Sequence, residues 1–161
     1  MSQDRYFAIY LNDHLAGAVA GTELAHRLAA AEPDIPMLRT VADEISADQQ
    51  ALRNIMARLN VPVRSYKTWA AWAMEKVARL KPNAHLTSRS PLSRVLELEM
   101  LRLGVEGKAA GWRSLRARAH HDDRLDPGRV DELLKRAEQQ RDQLEELRIQ
   151  AAADAFGGHP E

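Results

Sequence analysis

A regular spacing of three and four residues between apolar positions runs through residues 38–59. Apolar residues at this spacing line one face of an α-helix. The face consists of Leu38, Val41, Ile45, Asp48, Leu52, Ile55 and Leu59. All of these residues are aliphatic except Asp48, at the centre of the series. A carboxylate in a core is costly unless it is paired, hydrogen-bonded or bound to metal, so the pattern predicts a helix with a compensated acid inside.

Four long helical patterns account for most of the chain. Proline and glycine mark where they end, and Ser90-Pro91 and Asp126-Pro127 each combine a capping residue with a proline suited to a first turn. The predicted helices cover about residues 5–31, 36–59, 90–119 and 126–155. Gly157 and Gly158 are expected to end the fourth helix, and residues from about 156 to 161 are expected to form a loose tail.

The lengths of the connections predict how these helices are arranged. Short links join the first helix to the second and the third to the fourth, which makes each pair an antiparallel hairpin. A segment from about residue 60 to residue 90 separates the hairpins. It contains a predicted short helix that bears Trp69, Trp72 and Val77. A link of this length can join opposite ends of a bundle. We therefore expect one all-α domain over residues 1–161, a four-helix bundle of two hairpins joined by a long crossover.

Composition narrows the possible chemistry. The chain is 45% hydrophobic and 29% charged, and its 23 basic and 23 acidic residues give no net charge. Cysteine is absent, which excludes disulfides, thiolate catalysis and iron–sulfur clusters. The N-terminus lacks a signal-peptide pattern and no apolar run has the length of a membrane span, so we expect a cytoplasmic protein without membrane association.

Polar residues also fall on the predicted inner faces of the other helices. In the first helix, His26 lies in the apolar stripe and Glu23 at its edge, and the stripe is formed by Leu11, Leu15, Ala18, Val19, Thr22 and Ala29. In the third helix, the predicted face is Leu92, Leu96, Glu99, Leu103, Glu106 and Ala110. In the fourth, it is Val130, Leu133, Ala137, Gln140, Leu144, Leu147 and Ala151. The sequence thus predicts a polar layer across the bundle interior.

In helix lengths, connectivity and inner polar positions, almost the whole chain resembles the ferritin-like superfamily. Its members commonly hold two iron or manganese ions through a lone Glu on each of two helices and a Glu-x-x-His pair on each of the other two. Glu23 matches the first lone Glu. Glu106 matches the second, with Glu99 as an alternative one heptad earlier.

The chain departs from this family pattern on the second and fourth helices. Asp48 and Gln140 stand where the resemblance places histidines, and Ile45 and Ala137 stand where it places the paired glutamates. A register shifted by one residue supplies Glu44 and Glu138 instead. In that register Ala47 and Arg141 take the histidine positions, so neither register gives a complete motif.

Two interpretations of the polar layer follow. In the first, Glu23, His26, Asp48 and Glu106 bind iron or manganese, with Glu44 and Glu99 as alternates, and support oxidase, peroxide-handling or storage activity. In the second, the acids pair with Arg141, Arg113 or Arg102 or hydrogen-bond to Gln140, and Arg141 supplies the counter-charge in place of a divalent ion. The missing ligands favour the second. We therefore expect a non-catalytic ferritin-like protein with a structural or interaction role.

Two further features concern partners. Residues 64–94 carry a local charge of +6, and the basic residues of the crossover, Arg64, Lys67, Lys76, Arg79 and Lys81, could bind an anion or nucleic acid. A solvated basic face is the preferred interpretation, so nucleic acid is not the expected partner. Apolar residues beyond the predicted inner faces predict a homodimer: Leu24, Leu28, Leu98, Leu101, Val105 and Trp112.

Overall fold

The computed structural model describes residues 3–64 and 90–157, which form four α-helices. These are α1 (Gln3–Ala31), α2 (Pro36–Arg58), α3 (Pro91–Arg118) and α4 (Pro127–Phe156). The four predicted helices and the all-α class are confirmed. The predicted short crossover helix and the end of the predicted tail lie outside the described residues. Within the two described segments, no helix is long and apolar enough to cross a membrane.

The predicted caps set the starts of α3 and α4. The Ser90 hydroxyl accepts a hydrogen bond from the backbone N–H of Ser93 at 3.1 Å. The Asp126 carboxylate accepts hydrogen bonds from the backbone N–H groups of Gly128 at 2.9 Å and Arg129 at 3.3 Å. Each side chain satisfies amide groups that a helix leaves without an internal partner.

A left-handed residue ends α2. Asn60 has φ of 56°, and the N–H of Val61 donates to the carbonyl of Met56 while the N–H of Asn60 donates to that of Ala57. This pair of hydrogen bonds is the Schellman motif, and asparagine is the residue other than glycine that most readily adopts its left-handed position. The motif turns the chain away from the helix axis after Leu59.

Ion pairs near the helix ends show how the helices run. Asp4 near the start of α1 pairs with Arg118 at the end of α3 at 2.9 Å, and Glu32 after α1 pairs with Arg94 near the start of α3 at 3.9 Å. Arg94 also lies 3.9 Å from Asp154 near the end of α4. Hence α1 is antiparallel to α3, and α3 to α4. Because α1 and α2 form a hairpin, α2 and α3 point in the same direction.

Each helix packs against two others. The most extensive contacts are within the hairpins, α1 with α2 and α3 with α4. The hairpins meet where α1 packs on α3, and over a shorter stretch where α2 packs on α4. Around the bundle the order is therefore α1, α2, α4, α3, with α2 and α3 on a diagonal.

The predicted inner faces of α2 and α4 are confirmed. Every predicted position of α2 is buried, including Asp48, which is 1% exposed. In α4 every predicted position is buried except the half-buried Leu147, and Gln140 has no exposed surface. The buried faces of α2 and α4 are thus apolar apart from one acid and one amide, Asp48 and Gln140.

The predicted inner face of α3 is wrong. Leu92 is 49% exposed and Leu103 is 59% exposed, and Glu99 faces solvent. The buried face is instead the fully apolar series Val95, Leu98, Leu101, Val105, Ala109, Trp112 and Leu115. Both series have helical spacing, but only this one buries no charge, and burying two acids would have required two further partners.

The face of α1 is partly corrected in the same way. Leu11 and Leu15 are buried as predicted, whereas Ala18, Val19, Thr22 and Ala29 are half-buried. The six apolar residues of α1 and α3 on which the predicted homodimer depended are only 1–5% exposed within a single chain. They belong to the core of the bundle, so the surplus apolar surface that suggested a dimer is not present at these positions.

Candidate functional site

Asp48 lies at the centre of a polar network inside the bundle. Its Oδ2 accepts a hydrogen bond from Lys108 Nζ of α3 at 2.6 Å. Its Oδ1 accepts from Arg136 of α4 through Nε at 2.8 Å and also through Nη2. A charged hydrogen bond is stronger than a neutral one, and Asp48 receives such bonds on both oxygens. The acid predicted to need a partner therefore has two cationic ones.

Gln140 links this acid to a second one. Its side-chain amide donates to Asp48 Oδ2 at 3.2 Å and to Glu44 Oε2 at 3.0 Å, and its carbonyl accepts from Lys108 Nζ. Both N–H groups and the oxygen of the amide are thus used. Because Gln140 is completely buried, its orientation is fixed by this set of partners. We call Glu44, Asp48, Lys108, Arg136 and Gln140 the inner network.

The inner network is electrically balanced. Glu44 and Asp48 contribute two negative charges, and Lys108 and Arg136 contribute two positive ones. Burial lowers the pKa of Lys108, while the neighbouring Asp48 acts in the opposite direction and favours the ammonium. The side chain of Lys108 is 14% exposed. Desolvation is thus the largest influence on the pKa of Lys108, and the neighbouring Asp48 offsets part of that effect.

The proposed metal ligands on α1 do not reach the inner network. Glu23 and His26 both lie on the exposed surface. His26 Nε2 is 2.7 Å from the hydroxyl of Ser46 on α2, which in turn donates to the carbonyl of Ala42. His26 therefore forms part of a polar contact between α1 and α2.

Glu106 and Arg141 form a separate cluster on the outer side of α3 and α4. Arg113 donates to Glu106 at 3.2 Å and to Glu138 at 3.1 Å, and Arg141 lies 3.4 Å from Glu106. Hydrogen bonding from Arg113, the main cause, together with Arg141 lowers the pKa of Glu106. Arg141 also bonds to its neighbour Asp142 at 2.8 Å. The structure thus pairs Arg141 with an acid as the second interpretation expects, but outside the core.

The remaining predicted residues divide between the surface and undescribed positions. Glu99 is exposed on α3, and Glu44 is the one alternate ligand that joins Asp48. Arg64 donates its backbone N–H to Asn12 Oδ1 at 2.7 Å. The other basic crossover residues, Lys67, Lys76, Arg79 and Lys81, lie outside the described residues. Over residues 3–64 and 90–157, no group of three His, Asp or Glu side chains is placed to hold a metal ion.

Lys108 and Arg136 are the functional residues that the sequence reasoning missed. A signal for both existed, because an acid in an apolar face requires a cation within reach of it. Arg136 precedes Ala137 of the buried α4 face, and Lys108 precedes Ala109 of the buried α3 face. Long basic side chains at such edges can bury their stems and reach inward. Finding Lys108 in this way would have required the correct α3 face.

Searches against protein-family models, curated proteins and solved structures find no match to this chain. The functional assignment therefore depends on the residues and their geometry.

Proposed function

We propose that this chain is a ferritin-like four-helix bundle without a complete di-metal centre, and that it acts as a structural or interaction protein. The observation that carries the proposal is the position of Lys108. Its ammonium bonds to Asp48 and Gln140, the two residues that replace the histidines expected from the family pattern. A cationic side chain thus takes the place among these oxygens that a metal ion would need.

Charge balance supports the same conclusion. The inner network already pairs two acids with two bases. A divalent cation added there would leave excess positive charge in a region that is almost fully shielded from solvent, since Asp48 and Gln140 are both buried. Uncompensated buried charge is strongly destabilising. Metal binding would therefore require Lys108 or Arg136 to leave, or an acid to enter.

The ends of the described helices support the ferritin-like connectivity. Arg124 after α3 donates to the carbonyl of Leu59 at 3.1 Å, so α2 ends near the end of α3. The start of α3 lies at the other end of the bundle, where Arg94 meets Glu32. These positions of the two helix ends support a link between opposite ends of the bundle, as the proposed crossover requires.

Elemental analysis tests the metal-free assignment directly. The full chain, produced with iron, manganese and zinc in the medium, is expected to contain no stoichiometric metal. Adding each metal to the purified protein should shift its thermal unfolding midpoint by less than about 1 °C, since a ligand that binds the native state stabilises it by mass action. The same metals should leave the midpoint of an Asp48→Asn variant equally unchanged.

Stoichiometric metal in the wild-type protein would contradict the proposal if it is lost in a variant of the predicted ligands. Asp48→Asn tests the inner network, and a Glu23→Ala/Glu106→Ala double variant tests the ligand set predicted from the family pattern. Glu146→Ala serves as a matched control, since Glu146 is exposed on α4 and belongs to neither predicted ligand set. Metal lost in either test variant but kept in the control would establish the iron or manganese alternative.

A further inference from the structure

Two alanines of α1, Ala16 and Ala20, lie on the side of the helix away from the bundle core. Nine residues make about two and a half turns of an α-helix, so residues at this separation point to opposite sides. Ala16 is thus opposite Ala25, and Ala20 is opposite Leu11. Ala25 and Leu11 are core residues, each 1% exposed. We therefore expect the side of α1 that carries the two alanines, its outer face, to be open to solvent.

Both alanines are nevertheless shielded from solvent. Ala16 is only 4% exposed, and Ala20 is half-buried. Alanines on the outer sides of other helices, such as Ala47 on α2 and Ala110 on α3, are exposed. Ala16 is also the one buried apolar residue of the described chain that does not belong to the contiguous core. The outer face of α1 is therefore covered by something other than that core.

Residues 62–64 lead the chain onto this face. The side-chain amide of Asn12 donates to the carbonyl of Pro62 at 3.2 Å, and its oxygen accepts from the backbone N–H of Arg64 at 2.7 Å. Asn12 precedes Ala16 by four residues, which places the two side chains one turn apart on the same side of α1. The chain that follows α2 is therefore held against α1, next to the shielded alanines.

The chain between the two described segments is long enough to follow this face. The ion pair of Glu32 with Arg94 places the start of α3 beside the end of α1. From Asn12 to Glu32 the chain of α1 rises about 30 Å, at about 1.5 Å per residue. A helix of about 15 residues rises about 22 Å, and each extended residue adds about 3.3 Å. The 25 residues from 65 to 89 therefore suffice to pass along α1 from one end of this path to the other.

The sequence of residues 66–80 supplies an apolar face that suits such a path. Its apolar residues recur at spacings of three and four: Tyr66, Trp69, Ala73, Val77 and Leu80. This spacing predicts one apolar side of an α-helix. Large and small side chains pack well when they face each other, and the small side chains of Ala16 and Ala20 leave room for the aromatic rings of this series.

The charges of the two surfaces are complementary. Residues 65–89 hold five basic residues and one acid, which gives a net charge of +4. Asp13 and Glu23, which lie before and after the two alanines on α1, are both exposed. Opposite charges across a contact favour one partner and one orientation over others. A second copy of the chain on the same face would instead bring two sets of these acids together.

We propose that the outer face of α1 around Ala16 and Ala20 is the docking surface for residues 66–80 of the same chain. The segment runs in the same direction as α1 and turns its apolar side to the two alanines. Counted from the hydrogen bonds at Asn12, equal rise per residue places Ala73 near the level of Ala20. This docking is independent of whether the inner network excludes metal. It covers the outer face of α1, so a partner protein would bind elsewhere.

Engineered cysteine pairs test this placement in the full chain, which has no cysteine of its own. Ala20→Cys is combined in turn with Ala73→Cys, Val77→Cys and Ala71→Cys. A disulfide forms only where the two Cα atoms come within about 7 Å. We expect Ala73→Cys or Val77→Cys to form a disulfide within one chain on mild oxidation. Ala71→Cys, on the opposite side of the predicted helix, should form about tenfold less of it.

A single substitution provides a second test that needs no cross-link. Ala20→Arg places a long charged side chain between α1 and the docked segment. It should lower the thermal unfolding midpoint by about 3–8 °C. It should also increase the quenching of tryptophan emission by acrylamide, because Trp69 and Trp72 lose their cover while Trp112 stays in the core. Ala47→Arg, on the exposed side of α2, is the matched control and should change neither measurement.

The proposal is overturned if Ala71→Cys cross-links as well as Ala73→Cys and Val77→Cys do, or if none of the three forms a disulfide with Ala20→Cys. A disulfide that joins two chains, seen as a dimer on a non-reducing gel, would overturn it in favour of a second copy on this face. Equal effects of Ala20→Arg and Ala47→Arg on the unfolding midpoint and on quenching would likewise overturn the docking.

Discussion

At the scale of single residues, Asp48 shows how one buried charge determines the identity of its neighbours. Replacing it with leucine should lower the free energy of unfolding by about 3 kcal/mol, because Lys108 loses its acid while remaining largely buried. The double variant Asp48→Leu/Lys108→Met should recover at least half of this loss, since it removes both charges. Urea unfolding of the wild type and the variants measures the differences.

Glu23→Leu is the control for this comparison. It makes the same kind of change at an exposed helical acid and should alter the unfolding free energy by no more than about 0.5 kcal/mol. A double variant less stable than Asp48→Leu alone would contradict the coupling between Asp48 and Lys108. The remaining partner, Arg136, is 28% exposed and can turn to solvent when the acid is lost.

At the scale of one element, the end of α2 depends on a backbone conformation. Asn60 is the one residue other than glycine with positive φ among those that the structure describes. Asn60→Ala should therefore reduce the unfolding free energy by about 1 kcal/mol, because a Cβ disfavours the left-handed region. Thermal and urea unfolding provide the measurement.

Asn60→Gly is the matched variant for this prediction. Glycine adopts the left-handed conformation without the steric cost, so this variant should remain within about 0.5 kcal/mol of the wild type. If alanine and glycine had the same effect, the loss would have to come from the asparagine side chain and not from the backbone.

The choice of helix face is also decided at this scale. In α2 and α4 one apolar face stands out, and the sequence identified it. In α3, leucines occur around most of the helix, and two faces have suitable spacing. Leu92 and Leu103 satisfy the period as well as Leu98 and Val105 do, but they are exposed. Periodicity cannot separate two such faces unless the cost of burying Glu99 and Glu106 is counted.

At the scale of the whole molecule, Asp122 and Arg124 connect the two hairpins at one end of the bundle. Arg124 donates to the Asp122 carboxylate at 2.8 Å and 2.7 Å, and its third guanidinium nitrogen donates to the carbonyl of Leu59. Hydrogen bonding from Arg124 lowers the pKa of Asp122 from 3.8 to about 2. The carboxylate thus stays ionised in the folded protein at pH values where it is protonated in the unfolded chain.

This pKa shift predicts how stability changes in acid. Above about pH 4 the Asp122 carboxylate contributes its full stabilisation, and the contribution is lost as the pH falls towards about 2. Asp122→Asn should therefore be less stable than the wild type at neutral pH, and the difference should decrease across this interval. Unfolding free energies measured from pH 7 to pH 2 would reveal the convergence.

Asp123→Asn is the neighbouring control, since Asp123 is exposed in the same loop. Its unfolding free energy should run parallel to that of the wild type through the interval. A constant difference between wild type and Asp122→Asn at all pH values would show that the carboxylate charge is not the source of the stabilisation.

The sequence by itself determined the four helices, their caps and the buried faces of α2 and α4. These features depend on local chemistry: apolar spacing, a side-chain oxygen beside free amide groups, or a proline in a first turn. It also marked Asp48 and Gln140 as inner polar positions, because each interrupts an otherwise apolar face. All of this information lies within a few residues along the chain.

Only the tertiary structure decided which groups compensate Asp48. Lys108 and Arg136 lie 60 and 88 residues away along the chain, on helices whose rotation depends on packing with their neighbours. The same rotation places Glu23 and His26 on the surface. It also brings Glu106 next to Arg113 and Arg141. Burial imposes the requirement for a partner, but the relative positions of the helices determine which residues can meet it.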